Sequence, residues 1–582
     1  MSSQISTATD SEIPGGQPAW LTHGITAVVL LCCGILLSTR MVEPDLWGHI
    51  QYGEDWLFSG SLPLTATHTY TAEGHPWINH ENLFELSVAL GQRTIGGYGL
   101  MILKTLAGLL LMLVILRRSV RQRVPLVSAA VCLLPVAACL AEFWLMRPQL
   151  FSFLLFAAQL LLTERAFAGW EEGRAPRYGL LWLCLPLLVV WTNSHGGVLA
   201  GLCVFLALLG LRSIEAFVRR RADAVRVGLH FAGLGGLAVG TLFVNPYGWE
   251  LPYWLVVSLS QPRPEVSEWA GLLDGGPAAI LFVMLAVMSG FAVACTRLRR
   301  DWVELVLLGI VALQAPGHIR HLAFFALMFG LRLPEHLVSA CGAVFGKRAP
   351  RPLSGPGAWV VQAEMGLIMA GLLGVLVHRH AKFGVERAEY PVDAVEFMDE
   401  HGLQGKLAAT FDWAQYSLAA LAPATTLGFD GRYDTCYPQH VVDMHFDFLF
   451  GREGVRRHRG ADSGPIDPER VLREGRPDLV LLNRRSDLPA VQQMAAEAEW
   501  SVLYQDGLSV LYGRREVFDE AGGVRHFPEA LRRISDRRPE GTATWPGFPR
   551  RTGRDAFSPA RAEEVQRAGG QGAVLRMSKR QG

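Results

Sequence analysis

The stretch Glu43-Pro-Asp-Leu-Trp-Gly-His49 has the composition of a helix start, with Pro44 near the first helical position. If the helix continues, Asp45, His49, Tyr52 and Trp56 fall on one face at i, i+4, i+7 and i+11. That face offers a carboxylate, an imidazole, a phenol and an indole. A carboxylate at a low-dielectric boundary can act as a general base. The rings of Trp47, Tyr52 and Trp77 could stack on a sugar. An amphipathic helix lying at a membrane interface, with Trp and Tyr as belt residues, would show the same pattern. Spacing alone does not separate the two.

Other groups of the same kind follow. Trp77-Ile-Asn-His80-Glu81-Asn82 adds an imidazole beside a carboxylate, although Asn79, Asn82 and Glu85 could simply cap a helix. Glu54 and Asp55 lie further along the same loop and are expected to be dispensable. Arg147 before Pro148, and Arg320 between His318 and His321, could hold a phosphate in the guanidinium fork. A snorkelling arginine, or one paired with a neighbour such as Glu142, would look alike. Asn193-Ser-His195-Gly-Gly is a tight turn in which His195 is either a ligand group or a helix cap. Asn245-Pro-Tyr-Gly248 is turn chemistry.

These residues are positioned by apolar runs. A helix needs about 20 residues to cross a ~30 Å hydrocarbon core. About eleven spans are predicted: 21–39, 99–116, 125–143, 148–163, 179–193, 196–212, 228–244, 276–296, 302–316, 319–338 and 357–377. Pro316-Gly317 leaves open whether 302–338 crosses once or twice. Every second loop is basic, as in Arg117–Arg123, Arg219–Arg226 and Arg297–Arg300, which assigns those loops to the cytoplasm. The unusual polar residues all fall at the opposite ends. Spans alternate sides and these residues do not, and this points to one site on the outer face.

Residues 1–378 are therefore read as a membrane domain whose first outer loop is 40–98. Residues 379–515 alternate helix-like and strand-like patterns, such as 391–401, 478–482 and 508–512, and form a soluble outer α/β domain. Residues 516–582, rich in Arg, Gly and Pro, are predicted to be a disordered tail. The expected fold is a mainly α, polytopic helical bundle carrying this α/β domain. The nine cysteines are scattered without a Cys-x-x-Cys pair, which argues against a disulfide framework or structural zinc. A formal net charge of +1 gives no field for nucleic acid. No Gly-rich nucleotide loop or Gly-x-Ser-x-Gly elbow occurs.

Pro44-Asp45-x-x-x-His49, Gly60-x-Leu-Pro63 and Gly74-x-Pro76-Trp77-x-Asn79-His80-Glu81 together resemble the first outer loop of the GT-C glycosyltransferase superfamily. Proteins with that loop are related to the protein mannosyltransferases and the lipid A aminoarabinose and galacturonosyl transferases. Arg147-Pro-Gln, Asn193-x-His195-Gly, Asn245-Pro-Tyr-Gly, Phe411-Asp-Trp413 and Phe429-Asp-Gly-Arg432 are similar to an uncharacterised bacterial branch of it. The resemblance implies a polyprenyl-phosphate sugar donor, an outer acceptor, inversion at the anomeric carbon and Asp45 as base.

The expectation is an inner-membrane glycosyltransferase. In it, Asp45 deprotonates the acceptor, and His49, His80 and Glu81 orient acceptor or sugar. Arg147, Arg320 and His195, with Asn193 and His321 beside them, hold the donor phosphate. No cofactor is demanded; a divalent metal would find competent ligands in Asp45, His49 and Glu81. Two readings from other classes stand beside it. A transporter or flippase needs a polar path to both faces. A non-catalytic assembly protein needs no site at all.

Overall fold

The computed structural model describes residues 18–38, 42–219, 222–265, 271–272, 276–346, 356–452, 457–549 and 557. The chain enters as α1 (Ala19–Leu37), then the short α2 (Leu46–Ser59) and the 40-residue α3 (Asn82–Arg121). Gly96, at φ +68°, kinks α3 before its apolar part begins. The bundle continues with α4 (Leu126–Ala141), α5 (Gln149–Ala166), α6 (Tyr178–Trp182), α7 (Cys184–Thr192), α8 (Val198–Val218) and α9 (Ala224–Gly240). It ends with α10 (Glu250–Ser260), α11 (Pro277–Cys295), α12 (Trp302–Gln314), α13 (Leu322–Arg332), α14 (Pro334–Phe345) and α15 (Pro356–Ala381).

Each of the roughly eleven predicted spans overlaps one or two of these helices. Among the described residues, six helices are by themselves long and apolar enough to cross a membrane: α1, α3, α8, α9 with its extension to Phe243, α11 and α15. The segments Ile319–Arg332 and Pro334–Phe345, bent by 65°, make a seventh span if they cross as one. Leu126–Ala141, Tyr178–Thr192 and Trp302–Gln314 are apolar but shorter. The chain is a multi-pass membrane protein. The segment 302–332 doubles back on itself. Arg332, at the end of α13, pairs with Glu304 in the first turn of α12 at 3.1 Å, so the two helices run antiparallel.

The C-terminal domain begins with β1 (Val385–Glu386), α16 (Val392–Glu400), β2 (Lys406–Ala409), α17 (Phe411–Leu421) and β3 (Thr426–Leu427). It continues with α18 (Gln439–Phe450), β4 (Leu479–Asn483), α19 (Leu488–Ala496), β5 (Trp500–Gln505) and β6 (Ser509–Arg514). Five of these strands and β7 (Arg533–Ile534) form a mixed six-stranded sheet, ordered β3-β2-β4-β6-β5-β7. Leu479–Leu482 and Ser509–Arg514 are buried, as apolar central strands must be.

The first loop is stitched to this domain. Leu427 and the His68–Tyr70 backbone exchange hydrogen bonds at 2.9 and 3.2 Å. The Arg432 guanidinium donates to the Thr67 carbonyl at 2.8 Å and to the Asp430 carboxylate at 2.6 Å. It also lies over the rings of Tyr52, Trp77 and Tyr437. Asp55 is buried and accepts from His68 and from Gln51 at 2.6 and 2.9 Å. It is therefore structural, contrary to the expectation that it is dispensable.

The predicted disordered tail also needs correction for residues 516–549; most of the remainder lies outside the described residues. β8 (Thr542–Ala543) pairs antiparallel with β1. Trp545 then stacks on Trp47 of α2 at 5.2 Å and donates to Gln92 of α3 at 3.0 Å. The carbonyls of Pro546 and Gly547 accept from Trp47 and Tyr416 at 2.9 and 2.6 Å. A few aromatic anchors order a segment whose average composition does not suggest it. Trp545→Ala is expected to cost about 3 kcal/mol, the low end for a large aromatic. Melting in detergent and protease sensitivity of the first loop would both report it, and two unchanged readings would contradict this role.

Candidate active site

Asp45 stands immediately before α2, with its side chain one-third exposed. The Arg147 guanidinium lies 3.1 Å from it and is also bonded to the buried Glu43. Gly431 of the C-terminal domain closes over the same carboxylate; a Cβ there would come within 2.7 Å of Asp45 Oδ1. The glycine of Phe429-Asp-Gly-Arg432 thus makes room for Asp45. Asp412, from Phe411-Asp-Trp413, lies within electrostatic reach of both Asp45 and Arg147.

One turn into α2, His49 Nδ1 sits 3.5 Å from Glu85. Burial alone would lower the His49 pKa, but the Glu85 hydrogen bond and the charges of Glu81, Glu85 and Asp45 raise it. The Glu81 carboxyl is pushed up to about 7, first by burial and then by Glu85 and Asp45, with His49 and Arg147 opposing. His80 lies 3.5 Å from Glu81 and packs its ring on Trp254 at 4.8 Å. Burial, helped by Arg263, holds His80 down to about 3, so it is neutral.

His195 occupies the turn between α7 and α8. Its Nδ1 accepts from the Gly197 amide at 3.1 Å and faces the Ser152 hydroxyl at 2.7 Å. Trp191 donates to that hydroxyl at 2.7 Å, which leaves the Ser152 proton for His195 Nδ1 and places the histidine proton on Nε2. Burial, followed by the charges of His80, Arg320 and His49, holds His195 well below the usual histidine value. Electrostatic reach therefore runs from Asp45 and Arg147 through His49 and Glu81 to His80, His195 and Arg320. Helix ends 275 residues apart in sequence meet at one end of the bundle.

Other candidates are placed differently. Trp47, Tyr52 and Trp77 are buried and cannot stack on a ligand. Trp47 packs on Trp545, Tyr390 and Tyr416, while Tyr52 donates to Gln415 at 3.0 Å and lies edge-on to Trp77. Asn193 donates to the carbonyls of Val189 and Val244 at 2.9 and 2.8 Å and fixes its turn. His321 is bonded to the Gln314 carbonyl at 3.2 Å, at the end of α12. Sequence reasoning missed Glu43, Glu85, Ser152, Trp254 and Arg263 as site residues. Arg263 donates to Asp434 at 2.6 Å and acts on His80. Only Glu85 gave a signal, four residues after Glu81.

No family model matches the chain, and no curated protein matches it in sequence. Its fold does match solved structures. ArnT from Cupriavidus metallidurans bound to undecaprenyl phosphate is similar at a TM-score of 0.51 and 12% identity, covering 88% of this chain and 99% of that one. The apo state of ArnT gives a TM-score of 0.51 at 13% identity, covering 85% and 97%. The archaeal oligosaccharyltransferase AglB from Archaeoglobus fulgidus, in complex with an inhibitory peptide and a dolichol-phosphate, gives 0.50 at 10% identity, covering 80% and 69%. The chain has the fold of the GT-C glycosyltransferases over most of its length.

Proposed function

We propose that this protein transfers a sugar from a polyprenyl-phosphate carrier to an acceptor on the outer face of a bacterial inner membrane. The observation that carries the reading is the convergence of Asp45 with Arg147, His80, His195 and Arg320 at one end of a GT-C fold. Two solved structures of that fold hold a polyprenyl-type phosphate.

Asp45 takes the proton of an acceptor hydroxyl while that oxygen bonds to the anomeric carbon. The bond from that carbon to the phosphate oxygen breaks, and its electron pair leaves with the polyprenyl phosphate. Arg320 and the neutral donor His195 stabilise the charge that builds there. Arg147 serves a different end from the one expected from sequence. Shared between Glu43 and Asp45, it orients the base. The partly exposed Asp45 and the exposed Asp412 at the domain boundary leave the acceptor side open.

Undecaprenyl phosphate should bind the purified protein at least about tenfold more tightly than undecaprenol, and Arg320→Ala should abolish the difference. Equal binding of phosphate and alcohol would overturn the reading. The C-terminal domain is outside in this scheme. A phosphatase-type reporter fused after Ala381 should be active, whereas activity only of a cytoplasmic reporter at that position would reverse the topology.

A further inference from the structure

Strands β2, β3 and β4 run parallel, with β2 between the other two. The connection out of β2, through α17, leads to β3 on one side. The connection out of β4, through α19, leads away on the other side to β5. Ligands of α/β sheets bind where successive connections part in this way, in the crevice outside the carboxyl ends of the strands. Here those ends are Thr410-Phe-Asp412, Gly428-Phe-Asp-Gly431 and Asn483-Arg-Arg-Ser-Asp487. They are held side by side. Thr410 Oγ1 donates to Asp487 and accepts from the Asn483 amide at 2.8 Å, and the rings of Phe411 and Phe429 lie 5.8 Å apart. Gly431 is the residue that closes over Asp45, so the crevice abuts that carboxylate. We propose that this crevice binds a saccharide and that the saccharide is the acceptor. Its part as acceptor rests on the transfer proposed above; its binding does not.

Three observations support a saccharide. Asp412 is exposed at the mouth of the crevice and within electrostatic reach of Asp45, so two carboxylates can accept from hydroxyls of one ring. Phe411 is half-buried, and the uncovered part of its ring suits the C–H face of a sugar. Behind Phe411 lies His445 of α18, only 4% exposed. Its ring stacks on Phe429 at 4.5 Å and lies 6.2 Å from Phe411. Its Nε2 has no hydrogen-bond partner among the described residues, although buried polar atoms are as a rule satisfied. Burial holds His445 down to about 3, so the ring is neutral. Other occupants fit less well. An extended peptide would add a strand at the β3 edge, but the first loop already takes that edge through His68, Tyr70 and Leu427. The rim residues Asp412, Arg485 and Ser486 are exposed and polar, which suits a hydrophilic ligand and not an acyl chain.

The test uses the full-length protein in a detergent without a sugar headgroup. Saturation-transfer difference NMR is recorded with methyl glycosides of the common hexoses and pentoses as probes. At least one should bind at millimolar concentration. Asp412→Asn, at an exposed position, and Phe411→Leu should each weaken that binding by at least about tenfold, and Glu73→Gln should not. His445→Phe separates a ligand role from a structural one. It keeps a ring in the aromatic cluster and removes a buried nitrogen without a partner, so the melting temperature should hold or rise while saccharide binding falls about tenfold. Failure of every glycoside to bind the wild-type protein overturns the inference, as does binding unchanged in both Asp412→Asn and His445→Phe. A serine-containing peptide that binds where no glycoside does would assign the crevice to a protein and overturn it too. The lipid comparison with undecaprenyl phosphate and undecaprenol is run beside it. Phosphate-dependent lipid binding without saccharide binding keeps the transferase reading and removes this one. Saccharide binding without a preference for the lipid phosphate keeps the sugar site and removes the transferase reading.

Discussion

Asp45→Asn is expected to lower sugar transfer by ~10²–10⁴-fold, the usual worth of general-base help. The substitution keeps the shape of the side chain and its place before α2. Arg147 retains Glu43 as a partner, so the surrounding structure should survive. Donor binding should therefore change little, and the loss should appear in the chemical step. Glu73→Gln, on the same loop and exposed, is the appropriate control. Asp55→Asn is not, because it breaks the buried pair with His68. Transfer at near wild-type rate would show that Asp45 is not the base, and Glu81 would become the next candidate. Loss of the protein from the membrane would instead make Asp45 a structural residue.

Arg432→Ala is expected to produce the largest loss of stability. Asp430 is fully buried, and burial opposes its charge, but Arg432 and the Tyr437 hydroxyl hold its carboxyl below the usual range. Removing the guanidinium leaves a buried charge unpaired, which costs about 3–5 kcal/mol. It also removes the bond to the Thr67 carbonyl and the contacts with Tyr52 and Trp77. The first loop should detach from the C-terminal domain before the bundle melts, and limited proteolysis between residues 60 and 80 should accelerate. Arg432→Lys should not rescue it, since a point charge cannot replace the planar fork. Asp430→Asn combined with Arg432→Met should recover part of the loss. A melting curve and proteolysis pattern equal to wild type would refute this account of the junction.

Much of this is legible in the sequence, because some features depend only on local chemistry. The apolar runs lie where the helices are, and the strands over 478–482 and 508–512 appear within a few residues. The polar span ends are legible through alternation, and in the structure a chain of electrostatic contacts links Asp45 and Arg147, through His49 and Glu81, to His80, His195 and Arg320. What fails is anything decided by distant packing. Trp47 reads as a sugar platform because an indole beside a bilayer suits one. Its burial is set by Trp545 and Pro546, about 500 residues downstream. Those anchors are themselves hidden in a tail whose Arg, Gly and Pro content reads as disorder. Glu85 looks like a helix-cap residue, and only the approach of α2 to α3 makes it a partner of His49.

The most direct test of the central claim works whatever the sugar is. In the source organism, the gene is deleted and the polyprenyl-phosphate lipids are profiled by mass spectrometry. One polyprenyl-phosphate-linked sugar should accumulate. Wild-type protein and Glu73→Gln should clear it, and Asp45→Asn should not. A lipid-linked sugar pool unchanged by the deletion, or cleared equally well by Asp45→Asn, would contradict a transferase that uses Asp45 to consume such a donor.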